Sequence, residues 1–368
     1  MLQLLLGKDW VANRNEILRR IARDIHAGQG NRVLIVPELI SHDTERRLCA
    51  AAGDTTSRYA EVLSFTRLAR RVSEQVGHAA RECLDNGGRL VAMASAARQL
   101  HSKLKAYASV ETQPEFLLEL LHGVDEFKHC CIAPADLKQA SAMTQGSLAQ
   151  KLEELSLLLE TYDSICQRGK RDPSDQMTWL LEELMEGDFA PKHVFYIDGF
   201  PDFTNQHLAI LEHLIRTSQN VTISLNCTGA DDGAIAFEKA GKTAAELLRY
   251  ASRAGVPTQI HIVEGASCVL QPLWERLFQG STEPLPVLAN HVAVLRTDSV
   301  YNECLGAAQQ ILKLVRQGCR YRDISKSIVG YFYRVAKYYI SKSHAVVKWV
   351  IVARCVIYYI FCIPIYGI

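Results

Sequence analysis

The most constraining feature of the sequence is the run Arg32-Val-Leu-Ile-Val-Pro37, apolar without alternation and closed by a proline. Such a run reads as a strand buried on both faces, the signature of a parallel sheet with helices packed on either side. A second run, Leu2 to Leu6, ends at Gly7, and Ile17, Leu18, Ile21 and Ile25 follow at helical spacing. Residues 41–52 read as another helix opened by Ser41, and residues 61–66 as a third strand leading into a helix that carries Arg67, Arg70 and Arg71. Strand, helix, strand, helix in this order predicts an α/β fold with an open parallel sheet.

From residue 89 to about residue 186 the pattern turns to long helical periodicities broken at Pro114, Pro134 and Pro173, which predicts an inserted all-helical subdomain. Strands are expected again over residues 193–198, 220–225, 258–263 and 291–295, with helices over 206–216 and 299–317. The expected division is an α/β core in two parts, 1–88 and 189–285, around a helical insert at 89–188. A further domain is expected to begin at 286–325, after the proline-bearing linker at 283–286, with an aberrant apolar tail at 326–368.

Charge excludes one class of partner surface. The formal net charge is only +1 and Asp323 is the last acid, so a strongly basic footprint over the whole surface is absent and any DNA contact must come from local patches. Eleven cysteines occur without a CxxC pair, which argues against a zinc site or a disulfide framework and for free thiols in a reducing cytosol. The Cys130–Cys131 pair near His122 and His129 is poorly spaced for shared ligation, so no metal site is expected. The apolar start lacks a basic segment or a small-residue cleavage site and reads as a strand rather than a signal peptide.

Three constellations bear on chemistry. A phosphate-binding loop wraps phosphates with glycine backbone N–H groups and supplies Lys and Ser or Thr. After the first strand stands Gly7-Lys8-Asp9-Trp10: only Gly7 survives from the pattern, and the Asp9 carboxylate repels phosphate. Gly7 and Lys8 are therefore expected to mark a degenerate nucleotide site. The Gly241-Lys-Thr243 triplet lacks a preceding strand and reads as a helix start. Second, the strand ending at Asp198 delivers a carboxylate to the sheet's edge, where a metal-phosphate would sit, or where it caps a turn before Pro201. In a working helicase a glutamate follows and polarises water; here Gly199 follows. Third, Ser64 and Thr66 at a strand end, with Arg67, Arg70 and Arg71 on one helix side, form a candidate contact with single-stranded DNA, with Phe65 either stacking or packing. The bland alternative is a solvated basic face.

In this order, Met1 to Gly7, Val36-Pro37-Glu38 with Glu45-Arg46, Val62 to Arg71, Tyr196-Ile-Asp-Gly-Phe200 with Thr204 and Gln206, and Tyr321-Arg-Asp-Ile324 resemble the N-terminal half of the AddB (RexB) family over roughly residues 1–325. AddB is the second subunit of the bacterial AddAB helicase-nuclease. The resemblance implies a P-loop NTPase-like, superfamily 1 helicase-like core, with residues 62–72 as the strand-contacting motif and residues 197–206 as the Walker B segment. It further implies work in the cytoplasm in double-strand-break repair and recombination, and scanning of DNA for a hotspot sequence. DNA and an AddA-type motor/nuclease subunit are the implied partners, with no small-molecule substrate evident. ATP and magnesium are the family's cofactors, together with an iron–sulfur cluster in a nuclease domain expected beyond residue 368; no cofactor is expected in this chain. The expectation is a DNA-binding subunit without catalysis of its own. Two alternatives stay open: ATP binding through a noncanonical loop, and a membrane-anchored interaction protein.

That last alternative rests on the tail, which holds half of the 14 tyrosines and no acids, with a twenty-residue apolar run from Trp349 interrupted only by Arg354. A truncated or out-of-frame end, a membrane span and a buried helix are the readings it allows.

Overall fold

A computed structural model of the chain describes residues 1–53, 55–77, 82–108, 113–230, 237–265, 292–297, 300–320, 324–328, 348–353 and 356–362. The chain divides into two compact units, the first of Met1–Asp232 with Phe237–Gly265, the second containing the described residues from 292 onward.

In the first unit, β1 (Leu2–Leu6), β2 (Arg32–Ile35), β3 (Ala60–Leu63), β4 (Val194–Ile197), β5 (Asn220–Leu225) and β6 (Thr258–Ile262) form one sheet in the order β3-β2-β4-β5-β1-β6. Every pairing is parallel, for example Leu2 opposite Val221 and Ile35 opposite Ile197. The unbroken apolar runs follow from burial on both sides. Leu5, Leu34, Val62 and Tyr196 face one layer, built with Ile17, Leu18, Ile21 and Leu48 of α1 (Trp10–His26) and α2 (Glu38–Ala52). Leu4, Leu6, Ile35, Phe195 and Ile223 face the other, built by α3 (Phe65–Val76) and later helices. Connections that run one way along the sheet place helices on one face, and those that run back place them on the other, as right-handed crossovers require.

Two helix starts differ from the expected ones. α2 begins at Glu38, not Ser41, because Pro37 already holds the extended geometry from which a helix departs; the Ser41 hydroxyl instead donates to the Glu38 carbonyl at 2.8 Å. The third strand stops at Leu63, and Ser64 is the N-cap of α3, its Oγ accepting from the Arg67 N–H at 3.2 Å. Phe65 and Thr66 are therefore helical residues.

Helices α4 (Asn86–Gln99), α5 (Pro114–His129), α6 (Pro134–Ala142) and α7 (Gly146–Arg168) pack around a core of their own, centred on Met93, Ala96, Leu121, Leu158, Leu159 and Tyr162. Charged groups tie this core together: Lys128 lies 2.9, 3.0 and 2.8 Å from Asp163, Asp172 and Asp175, and Arg89 reaches Asp125 and Asp172. By contrast α8 (Gln176–Glu186) and α9 (Phe189–Lys192) belong to the sheet's core through Leu180, Leu184 and Phe189. α10 (Asn205–Thr217) and α11 (Glu238–Arg253) complete that layer, and Gly241-Lys-Thr243 lies inside the first turns of α11.

The second unit contains β7 (Val292–Thr297), α12 (Val300–Arg316), β8 (Ile324–Ile328), β9 (Lys348–Ala353) and β10 (Val356–Cys362), with strand order β7-β10-β9-β8. β10 runs parallel to β7 and antiparallel to β9. The buried-helix reading is thus corrected where the stretch from Trp349 is described: residues 348–353 and 356–362, rich in Val, Ile and Tyr, are extended, since β-branched and aromatic side chains favour the pleated surface. Among the described residues no helix is long and apolar enough to cross a membrane. The linker at 283–286, residues 321–323 and the last six residues lie outside the described residues.

Candidate functional site

The strand ends of a parallel sheet gather on one edge, and there the loops after β1, β4 and β5 meet. β1 runs into Gly7, whose N–H donates to the Leu225 carbonyl at 3.3 Å. A Cβ at Gly7 would stand 2.5 Å from Asn13 Oδ1 and 2.6 Å from the Val263 carbonyl, so the glycine is required by close packing. Asn13 is buried and donates to the carbonyls of Gly7 and Leu225 at 3.1 and 3.2 Å, sewing the loop to β5. Lys8 turns its Nζ to within 6.0 Å of the Phe237 ring centroid. Asp9 caps α1, its Oδ1 accepting from the Val11 N–H at 2.9 Å. The helix N-terminus, where a phosphate would be drawn by free N–H groups and the helix dipole, already holds a carboxylate of the chain itself.

Asp198 follows β4 and is buried, and both of its carboxylate oxygens accept from side chains distant in the sequence. Its Oδ2 accepts from Arg14 Nε at 2.8 Å, with only 7% and 4% of the two side chains exposed, and its Oδ1 accepts from the Ser224 hydroxyl. The Arg14 guanidinium in turn lies 5.0 Å from the Trp10 ring centroid. A cation of the chain thus stands against this buried carboxylate.

Gly199 is constrained by the same arginine. Its φ of +82° is one that side chains rarely adopt, and a Cβ would stand 2.9 Å from both Arg14 Nη2 and Ile40 Cδ1. A glutamate at this position would be strained by the backbone conformation and would have to displace the ends of the Arg14 and Ile40 side chains. Magnesium and a nucleoside triphosphate do not fit the groups present: a carboxylate at the helix N-terminus, a guanidinium on Asp198 and Lys8 with its Nζ beside the Phe237 ring.

The sequence pointed to Gly7, Lys8 and Asp198; it missed Arg14, Asn13 and Ser224. A signal for Arg14 existed, since Asn13 and Arg14 precede Ile17, Leu18 and Ile21 on the buried stripe of α1, and a polar residue on such a stripe needs a partner.

The five DNA-binding candidates cluster at the start of α3 in different states. Ser64 is buried and spends its hydroxyl on the cap. Arg71 pairs with Glu61 at 3.3 Å. Thr66 and Arg70 are exposed and Arg67 is half-buried, and neither Arg67 nor Arg70 has an ion pair among the described residues. Phe65 packs: its ring stacks on His207 with centroids 4.3 Å apart and meets Phe200 edge-on at 5.4 Å. Burial, with the nearby His129 as a lesser cause, pushes the His207 imidazole down to about 4. It is therefore neutral at pH 7.

A family model described as "ADDB, N-terminal" matches residues 4–272, well over half of the chain. The chain belongs to the AddB N-terminal family. Curated relatives agree: the B subunit of the ATP-dependent helicase/deoxyribonuclease of a Thermoanaerobacter species is 27% identical over 337 residues, covering 88% of this chain and 29% of the relative. The protein of the same name from Desulforudis audaxviator is 29% identical, covering 88% and 29%. That from Symbiobacterium thermophilum is 26% identical, covering 81% and 28%. This AddB-family chain thus spans less than a third of the length of the curated relatives it matches.

Proposed function

We propose that the chain is a DNA-handling part of an AddB-type helicase–deoxyribonuclease subunit, that it works in the cytoplasm with DNA and an AddA-type motor/nuclease subunit in repair and recombination at double-strand breaks, and that the site formed by Gly7, Lys8 and Asp198 at the carboxyl edge of its sheet binds no nucleotide. The observation that carries the nucleotide-free reading is the buried Arg14–Asp198–Ser224 cluster. A helicase-like, P-loop NTPase-like ancestry is supported by the layout. β1 leads directly into α1, and one strand, β5, separates it from the strand that ends at Asp198. Asp9 and Arg14 then stand for the charges that phosphate and lysine or metal supply in a working site.

The DNA reading rests on exposed Thr66 and Arg70 and half-buried Arg67 in the first turns of α3, after β3, where neither arginine has an ion pair among the described residues. It is tested by single-stranded oligonucleotide binding across a salt series. Two phosphate contacts contribute a slope of about 1.4 in log affinity against log salt. Arg67→Ala with Arg70→Ala is expected to lower the slope by that amount and weaken binding for all sequences. An unchanged slope would reduce the helix to a solvated surface.

A further inference from the structure

A second polar cleft lies at the opposite, amino-terminal edge of the sheet, with a volume of about 460 Å³, within the size range of small-ligand sites. One wall is cationic: Arg19, Arg20 and Arg23 of α1 and Arg32 of β2 outnumber the acids Glu16 and Asp24. The other is rich in amides, with Gln3, Gln219, Asn220 and Gln259, and ends at His261. The carboxylates are already engaged. Glu16 accepts from Arg19 at 2.5 Å and Arg20 at 2.7 Å; burial pushes its carboxyl up, but the bonds from Arg20 and Arg19 outweigh it and the net shift is down. Asp24 accepts from Arg32 at 3.0 Å and from the Tyr196 hydroxyl at 2.9 Å.

Donors are left over. Arg23 is exposed and has no ion pair among the described residues, and Arg20 reaches Gln3 with Nη1 at 2.8 Å while its Nη2 has no hydrogen-bond partner among them. Two residues of the lining, His261 and Asn220, each carry a buried side-chain atom, Nε2 and Oδ1, without a hydrogen-bond partner. Buried polar atoms are rarely left so, because each forfeits its hydration. We propose that this cleft takes a phosphate monoester of nucleotide size, its dianion held by Arg23 and the remaining nitrogen of Arg20, since the forks of Arg19 and Arg32 are taken by Glu16, Asp24, Gly30 and Gln29, and its remaining polar groups by the amide wall. Such a group is offered by a free mononucleotide or by the phosphorylated end of a DNA strand. The site is separate from the Arg67 and Arg70 surface.

Calorimetric titration of the full chain with inorganic phosphate, a mononucleotide, a 5′-phosphorylated oligonucleotide and its 5′-hydroxyl counterpart tests this. Binding of phosphate-bearing probes is expected, weakened about ten-fold or more by Arg23→Glu and less by Arg23→Gln, two exposed substitutions that leave the core intact. Arg67→Ala with Arg70→Ala should leave mononucleotide and phosphate binding unchanged. Preference for the phosphorylated oligonucleotide over the mononucleotide assigns the DNA end as the source, and the reverse assigns the free nucleotide. No binding of any phosphate-bearing probe at millimolar concentration, or equal affinity in Arg23→Glu, overturns the proposal.

Discussion

Replacing Asp198 by Asn removes a charge while keeping its shape. In the folded chain the Arg14 guanidinium is 2.8 Å from the Asp198 carboxylate and almost wholly out of water. Breaking such a pair from one side costs about 3–5 kcal/mol, because an uncompensated buried cation remains. The amide of an asparagine could still accept one hydrogen bond there, which places the expected loss near the lower end, about 3 kcal/mol; Ala, which also orphans the Ser224 hydroxyl, belongs near the upper end. A domain's whole stability is about 5–15 kcal/mol, so the effect is large. Urea unfolding at pH 7 followed by far-UV circular dichroism reads it as a shift of the midpoint at constant slope. Arg14→Met combined with Asp198→Leu should recover much of the loss, since an apolar pair of similar volume often replaces a buried ion pair without penalty. A loss below about 0.5 kcal/mol for Asp198→Asn would refute the reasoning, as that is the size of an ordinary surface substitution.

Gly199→Glu, which restores the carboxylate that a helicase uses on water, should yield no ATPase activity and should lower stability by at least about 1–3 kcal/mol, from the positive φ and the overlap with Arg14 and Ile40; measurable ATP hydrolysis would count against the filled site. Acid should destabilise the chain before carboxylates titrate. His207 is held down to about 4 and His193 and His213 are also pushed down by burial, so the unfolded chain binds protons first as pH falls below about 6.5. Stability is then complete above that value and lost progressively toward pH 4, with His207 alone contributing on the order of 2 kcal/mol between pH 7 and 5. His207→Phe, which keeps the stack on Phe65, should flatten the curve; an identical curve would assign the acid sensitivity elsewhere.

Much of the first unit was legible because burial on two faces leaves a plain mark. The runs at residues 33–36 and 194–197 are apolar without alternation and residues 2–6 are apolar but for Gln3, whereas residues 220–225 alternate polar and apolar and bury Thr222 and Ser224 as well; each lies in a strand of the parallel sheet or at its end. Starts of helices were less legible where a capping residue sits one step from the apparent strand. Ser64 reads as strand by its neighbours Val62 and Leu63, yet its hydroxyl ends the strand by bonding the Arg67 N–H. The site was half legible. Asp198 stood out through its place after an apolar strand, whereas Arg14 is 184 residues away in the chain, and nothing local in either segment encodes their pairing. The apolar stretch from Trp349 carried the composition of a span without helical periodicity, and β-branched content decided for strands.

The central claim, that the chain's own Asp9 and Arg14 occupy the place of a nucleotide, is tested most directly by thermal unfolding with and without ATP and magnesium. A ligand at about a hundred times its dissociation constant would add about 2.7 kcal/mol to stability. The prediction is that any rise in melting temperature at millimolar ATP comes from the amino-terminal cleft and vanishes in Arg23→Glu; a rise of several degrees that survives Arg23→Glu and is abolished by Asp198→Ala would contradict it.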